Sequence, residues 1–361
     1  MSIDIGIIGL VQSGKTTIFN ALTKGQADTK SSTPHIGKAK VPEPRLKALA
    51  DMLQPKRVVP TEVSYIDIGA SVKGGERGMG GQILGELSNT DALINVVRAF
   101  ADDSIPHVES SLDVERDIAA VSLELALHDA SIISRRLERI ETSLKGADPT
   151  ERQSLLREQQ MLEKLKLELE KEVPIRQLKL TADETKAISN FQFLTAKPLL
   201  IAVNIGEEQI GGAASMEKEL NSRHAGTGSG VITLCGKLEM ELTQLDDEAA
   251  KVFRDEFGIT EPGLDRVIKL SYQLLDLITF FTTASDEVKA WPVPKGTTAL
   301  KAAGKIHSDM ERGFIRAEAI SYDDLMKYGS MAEAHKKGLL RLEGKSYLVQ
   351  DGDVITFLFN V

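Results

Sequence analysis

Hydrophobic and polar positions fall into three regimes along the chain. In the first, short apolar runs of strand length recur: Ile5 to Val11 is entirely apolar or glycine, and similar runs follow at Val63 to Ile66, Leu199 to Val203 and within "GVITLCGKLE". A polar, glycine-flanked turn and a helical run, Thr17 to Leu22, follow the first of them. The second regime interrupts this series. From Leu112 to Leu144, Ile118, Val121, Leu125, Ile132, Leu137, Ile140 and Leu144 recur at helical spacing, with charges on the other face. "KGADPTE" breaks the pattern with Gly146 and Pro149, and a second helix carrying Leu155, Leu162, Leu165 and Leu169 ends before Pro174. Two amphipathic helices around a short turn predict an antiparallel coiled-coil hairpin. The third regime begins at Leu277. "ITFFTTASDEVKAWPV" alternates and is rich in β-formers, "KAAGKIHSDMERGF" predicts a short helix, and "YLVQDGDVITFLFN" predicts two strands around Asp351-Gly352-Asp353.

At 361 residues the chain is long enough for two or three domains. An apolar fraction of 42% and a charged fraction of 27% are those of an ordinary globular protein. The net charge of −9 argues against a generally basic nucleic-acid binder but leaves room for a local basic face. Lys301, Lys305, His307, Arg312, Arg316, Lys336, Lys337 and Arg341 cluster late in the chain and could touch RNA phosphates. A single cysteine, Cys235, fits a reducing cytoplasm, and no apolar run is long enough to span a bilayer.

The sharpest chemical signal is Gly9-Leu10-Val11-Gln12-Ser13-Gly14-Lys15-Thr16, which fits G-x-x-x-x-G-K-[ST] between a strand and a helix. Glycines let the backbone curl until the N–H groups of residues such as Gln12, Ser13, Gly14, Lys15, Thr16 and Thr17 point at one anion. Lys15 then reaches the β- and γ-phosphates, and the Thr16 hydroxyl suits Mg²⁺. Asp67, at the C-terminal end of the Val63 strand, is placed to hold a water on that ion. The following residues read Asp67-Ile68-Gly69-Ala70, so the Ala70 N–H stands where GTPase-like chains offer a glycine N–H to the γ-phosphate. The Leu199 strand ends in Asn204-Ile205-Gly206-Glu207 where GTPases carry Asn-Lys-x-Asp. Glu207 is one methylene longer than the guanine-reading Asp, which argues for adenine or for loose base choice. Cys235-Gly236-Lys237 resembles the turn that closes over the base in GTPases.

Taken in order, these motifs resemble the Obg-like ATPases of the YchF type, among the translation-factor-related P-loop proteins. The resemblance runs nearly end to end, through "GKTTIFNALTK", "VPEPRLKALADMLQPKR", "VKGGERGMGGQ", "FLTAKPLLIAVNIGEE", "AAGKIHSDMERGFIRAEAIS" and "YLVQDGDVITFLFNV". It implies an α/β fold: a P-loop nucleotide domain with a mostly parallel sheet (1–115 and 190–276), an inserted helical hairpin (116–189) and a C-terminal β-grasp, or TGS, domain (277–361). It also implies a slow, Mg²⁺-dependent, ribosome-associated ATPase that accepts GTP. The family's histidine substitute for the water-orienting Gln maps to His107, and Ser31, or Thr33 beside it, maps to the switch ligand of Mg²⁺. Val11, Gln12 and Ser13 replace the family's usual mid-loop residues, including the Asn that helps hold a monovalent cation, which counts against K⁺ stimulation. Two alternatives stay open: a nucleotide-sensing scaffold with little hydrolysis, and a GTP-preferring GTPase.

Overall fold

The computed structural model describes residues 3–25, 27, 34–68, 81–105, 107, 111–283 and 286–360. In chain order the elements are β1 (Ile3–Ile8), α1 (Lys15–Thr23), β2 (His35–Lys40), α2 (Pro44–Leu53), β3 (Arg57–Val59), β4 (Glu62–Asp67), α3 (Gly81–Leu87) and β5 (Ala92–Arg98). Next come α4 (Val114–Ser143), α5 (Pro149–Glu170), α6 (Ala182–Ile188), β6 (Leu199–Asn204), α7 (Ala213–His224), β7 (Ser229–Leu234), α8 (Gly236–Leu242), α9 (Asp247–Glu256) and α10 (Gly263–Leu274). The remainder is β8 (Leu277–Thr282), β9 (Glu287–Pro294), α11 (Ala299–Ile306), α12 (Ser308–Arg312), β10 (Phe314–Ser321), α13 (Tyr322–Tyr328), α14 (Met331–Lys336), β11 (Arg341–Glu343) and β12 (Asp353–Phe359).

Contacts divide the chain into two compact units. One contains Ile3–Ala39 and Ser64–Leu274; the other gathers Lys40–Val63 with the chain from Leu275 onward. In the first unit six strands lie in the order β2-β4-β1-β5-β6-β7. The pairs β1–β5, β5–β6 and β6–β7 are all parallel. Every residue of β5 and of β6 is buried, as expected for parallel strands covered on both faces. The register sets Arg98 opposite Asn204 and Asn204 opposite Leu234, so the loops that follow these strands open on one edge of the sheet. The outer edge of β7 is satisfied by side chains of α7. Asn221 exchanges two hydrogen bonds of 3.0 Å with the Val231 backbone, and Glu217 accepts from the Thr233 N–H at 2.7 Å.

The hairpin forms as its periodicity predicts. Asp113 caps α4, and Asp148 with Pro149 starts α5. Over its 30 residues, α4 serves two cores. Ile118, Val121 and Leu125 pack on the sheet with Leu93, Val97 and Leu199. Ile133 and Ile140 pack against Met161, Leu162, Leu165 and Leu169 of α5. Ile133, not the expected Ile132, takes the fully buried position, because the helix must turn its apolar stripe from the sheet towards its partner helix. Arg136 clasps Glu158 across the pair with two bonds of 2.7 and 2.8 Å.

The second unit is a β-grasp built on a sheet of order β11-β10-β12-β8-β9-β3. The strand β3 pairs in parallel with β9, and α2 buries Leu46 and Leu49 against Phe281, Val288, Ile320 and Val354. The segment Lys40–Val63, read from sequence as part of the nucleotide domain, thus supplies a strand and a helix to this unit. Two local expectations change. Of the two strands expected around Asp351–Asp353, only β12 forms. Tyr347 Oη, Arg341 and the Gln350 N–H all donate to the buried Asp353 carboxylate, so the chain before it is organised as a turn, with a single bridge from Leu348 to Thr298. The single helix expected in "KAAGKIHSDMERGF" is two helices, because His307 leaves helical backbone and its Nδ1 accepts from the Asp309 N–H at 3.2 Å to start α12. Among the described residues no helix is long and apolar enough to cross a membrane.

Leu49 is fully buried, so Leu49→Ala is expected to cost about 2–5 kcal/mol through lost burial and the cavity left behind. Thermal unfolding of the full chain, with a clearly lowered midpoint, checks this.

Candidate nucleotide site

The loop between β1 and α1 is held by steric necessity. At Gly9 φ is 143°, and a Cβ there would overlap the Val96 carbonyl oxygen; at Gly14 φ is 95°, and a Cβ would overlap the Asn204 side-chain nitrogen. Gln12, exposed between them, takes the left-handed region at φ 62°. The α1 helix begins at Lys15 immediately after Gly14, which presents its free N–H groups at the loop.

Lys15 is 8% exposed, and its ammonium donates to Gly9 O at 3.1 Å and Leu10 O at 2.7 Å. Burial pulls its pKa down to about 8, against the opposing pull of the Asp67 charge. One residue on, Thr16 Oγ1 donates to Asp67 Oδ2 at 2.7 Å. Asp67 is fully buried, and its other oxygen, Oδ1, has no hydrogen-bond partner. The two groups assigned from sequence to a divalent ion therefore meet directly, and the second carboxylate oxygen remains without a protein partner. Hard oxygen donors of this kind fit Mg²⁺, which keeps several waters and takes substrate phosphates as ligands. Among the described residues no cluster of three or more His, Cys, Asp or Glu gathers to hold a metal alone. Ser31, Thr33 and Ala70 lie outside the described residues.

On the base side, Asn204 is 4% exposed and bonded at both ends of its amide. Its Nδ2 donates to Ser13 O at 3.1 Å, and its Oδ1 accepts from the Gly236 N–H at 2.9 Å. One side chain thereby joins the P-loop to the turn after β7. Ile205 packs into the core, and its N–H donates to Leu234 O at 3.0 Å. Cys235 is buried at the N-terminus of α8, and burial pushes its thiol pKa up. Glu207 opens a 3₁₀ turn, Glu207–Gly212, and its Oε1 lies 3.0 Å from Lys237 Nζ. A cavity of about 430 Å³ beside these turns shares Ile205 and Cys235 with them but neither Glu207 nor Lys237.

His107, expected on an open loop, is held. Its side chain is 6% exposed, and Nε2 lies 2.8 Å from Asp117 Oδ2 in the first turn of α4. Arg116 donates from Nε and from its terminal nitrogen to Asp117 Oδ1 at 3.0 and 2.8 Å. A closely packed gap behind the phosphate loop, with no room for a water, is lined by Leu10, Ser13, Asn95, Arg98, His107 and Asp117. His107 thus sits at the inner side of the loop, close to the site but turned to a carboxylate.

Sequence reading passed over β5. Asn95 and Arg98 are buried in it, the Asn95 amide and one Arg98 nitrogen without hydrogen-bond partners, and Arg98 stacks on the Phe100 ring at 4.6 Å. Phe100 lies 4.0 Å from the place a Gly14 Cβ would take, beside the loop. The signal was present as two polar residues inside an apolar strand.

Comparisons with known proteins place the chain among similar sequences and structures. A family model described as YchF-GTPase_C, protein of unknown function (DUF933), matches residues 277–360. The chain is 41% identical over 370 residues to the ribosome-binding ATPase YchF of Bacillus subtilis and 40% identical over 368 residues to that of Escherichia coli O157:H7, covering 100% of each chain in both cases. The solved structure of the Schizosaccharomyces pombe YchF GTPase matches with a TM-score of 0.87 at 31% identity, covering 99% of this chain and 98% of that one.

Asn204→Ala would strand the Ser13 carbonyl and the Gly236 N–H in a buried site. Its expected cost is about 1–3 kcal/mol, seen as a lowered thermal midpoint of the nucleotide-free chain.

Proposed function

The chain belongs to the YchF family, and from that premise we propose that it is a Mg²⁺-dependent P-loop nucleoside triphosphatase that binds ATP, accepts GTP, hydrolyses slowly and works on the ribosome in the cytoplasm. The observation that carries this reading is the Asn204 bridge: it fixes a complete phosphate loop against a base-side turn in which Glu207 stands where a guanine-reading Asp would be. The relatives named above are called ribosome-binding ATPases, and that name supplies the ribosome as partner.

Each group in the site has a place in the reaction. On arrival of a triphosphate the Lys15 ammonium exchanges the Gly9 and Leu10 carbonyls for β- and γ-phosphate oxygens. The α1 N-terminus and the N–H groups of residues 12–17 surround the same oxygens. Thr16 Oγ1 and Asp67, the latter through a water, would hold the metal, releasing their mutual hydrogen bond. Bound Mg²⁺ would offset the charge that develops between the β- and γ-phosphates. Water then attacks the γ-phosphorus, the bond to the bridging oxygen breaks, and the diphosphate and inorganic phosphate leave. His107 is the one described histidine next to the loop able to orient that water, once it gives up Asp117. Phe100, with Arg98 on its ring, offers an aromatic surface beside the loop for packing against bound nucleotide.

Single-turnover hydrolysis of ATP, with and without ribosomes, tests the reading. Turnover above that of Lys15→Ala, raised by ribosomes, is expected. A rate equal to the Lys15→Ala control leaves the chain a nucleotide-sensing scaffold.

The lysine gives a pH prediction. Triphosphate needs the charged ammonium, of which the free protein has lost about half at pH 8. Affinity for MgATP should therefore hold up to about pH 7, weaken as pH rises through 8, and approach about tenfold per pH unit above it. The stability sign is the reverse. The folded state binds this proton less tightly than the unfolded chain, so Lys15 costs stability at neutral pH, and the cost fades between pH 8 and about 10.5. Lys15→Met is expected to raise the thermal midpoint at pH 7 while abolishing binding.

A further inference from the structure

We propose that Lys237 sets the base preference of the site by holding Glu207 away from guanine. This rests on the nucleotide-binding function proposed above and names a residue that specifies its substrate. Two backbone segments meet here, both anchored on one side chain: Glu207 follows Asn204 by three residues, and Lys237 follows Gly236, whose N–H is bonded to Asn204 Oδ1. The Gly206 N–H is tied to Gln209 Oε1 at 2.7 Å, which fixes the start of the Glu207 turn. The side chains then close the gap between the two loops, Lys237 Nζ to Glu207 Oε1, 3.0 Å apart. Their relative exposures, 69% and 43%, leave the pair open to solvent and to ligand.

The chemistry of the two purines separates at this pair. Guanine offers two donors side by side, N1–H and the 2-amino group, and reading them takes both oxygens of a free carboxylate facing the ring. With Oε1 held by the ammonium, Glu207 cannot present both. Adenine offers an acceptor at N1, which a bare carboxylate would repel, and an ammonium-paired carboxylate repels less. The ion pair therefore withdraws the guanine contact and removes a penalty against adenine. Two other carboxylates act on the same ammonium, Glu241 on the next turn of α8 and Asp102 after β5. Removing Lys237 thus leaves the base edge more negative as well as freeing Glu207. Because half-exposed ion pairs are weak and screened by salt, the effect on discrimination is about three- to fivefold.

The test is competition of MgATP and MgGTP for a fluorescent nucleotide on the full chain, in wild type, Lys237→Met, Glu207→Gln and the double variant. Lys237→Met should move the ATP-to-GTP affinity ratio about three- to fivefold towards GTP at low salt. The shift should vanish in the Glu207→Gln background, where no carboxylate remains to be released. Raising NaCl should move the wild-type ratio towards that of Lys237→Met and leave the variant's own ratio nearly unchanged. An unchanged ratio in a Lys237→Met protein that still binds nucleotide overturns the proposal alone. The same shift with Glu207 already replaced also overturns it, since Lys237 would then be reading the base itself. Failure of the wild type to bind either nucleotide overturns the proposed function together with it.

Discussion

The Asn204 carboxamide is the contact on which the arrangement of the site depends. It sits at the end of β6, between two loops that have no reason of their own to keep a fixed distance. A primary amide donates and accepts from one rigid plane, and here both capacities are used, towards Ser13 O and from the Gly236 N–H. An aspartate would face the Ser13 carbonyl with a second acceptor, and a glutamine would carry the plane one methylene too far. Gly14 is the other half of the same constraint, since any Cβ there would occupy the space of the Asn204 nitrogen. Phosphate loop and base-side turn are therefore set by a single buried side chain and a missing one.

The phosphate half is built at a cost to folding. A lysine at 8% exposure, a fully buried aspartate with one idle oxygen and a buried Ser13 hydroxyl without partner all lie within one loop and the strand beside it. Each is a group that folding would place in water if stability alone decided. Lys15 softens its cost by turning onto two loop carbonyls, and Thr16 by turning onto Asp67. These internal bonds are provisional, because each partner is a weaker match than a phosphate oxygen or a divalent ion. A site preorganised for charge is least comfortable when no charge is there, which is why Lys15→Met is expected to gain stability as it loses binding.

What could be read from the sequence was whatever one stretch of chain decides for itself. The G-x-x-x-x-G-K-[ST] spacing forces loop geometry locally, and the helical period of residues 112–144 survives in α4 almost to the residue. The YchF resemblance, the α/β fold and the β-grasp at the C-terminus follow from such stretches and agree with the comparisons. Three-residue β3 carries no period to read, and its pairing with β9 is decided some 230 residues away, so the allegiance of Lys40–Val63 was invisible. The turn before β12 was misjudged because a side chain, Asp353, replaces the strand pairing that alternation suggested. Glu207 was legible as a departure from a guanine reader; its bond to Lys237 was not, because it depends on how two separate strand ends are brought together.

His107 shows how one group can be stored and still be released. Burying a histidine against a carboxylate ordinarily locks both, because withdrawing one strands the other. Asp117 is 2% exposed, yet it is shared: Arg116 gives two donors to Oδ1, and His107 faces Oδ2. If His107 turns away, the carboxylate keeps its guanidinium, and a single water at Oδ2 replaces what is lost. The carboxylate is then not left as an unpaired buried charge, although His107 Nδ1 also gives up its contact with the Arg116 guanidinium at 3.4 Å. The same first turn of α4 carries Glu115, which binds Arg223 and His224 at the end of α7. The root of the helical hairpin is thus fixed on one side to α7 and on the other to the histidine behind the phosphate loop.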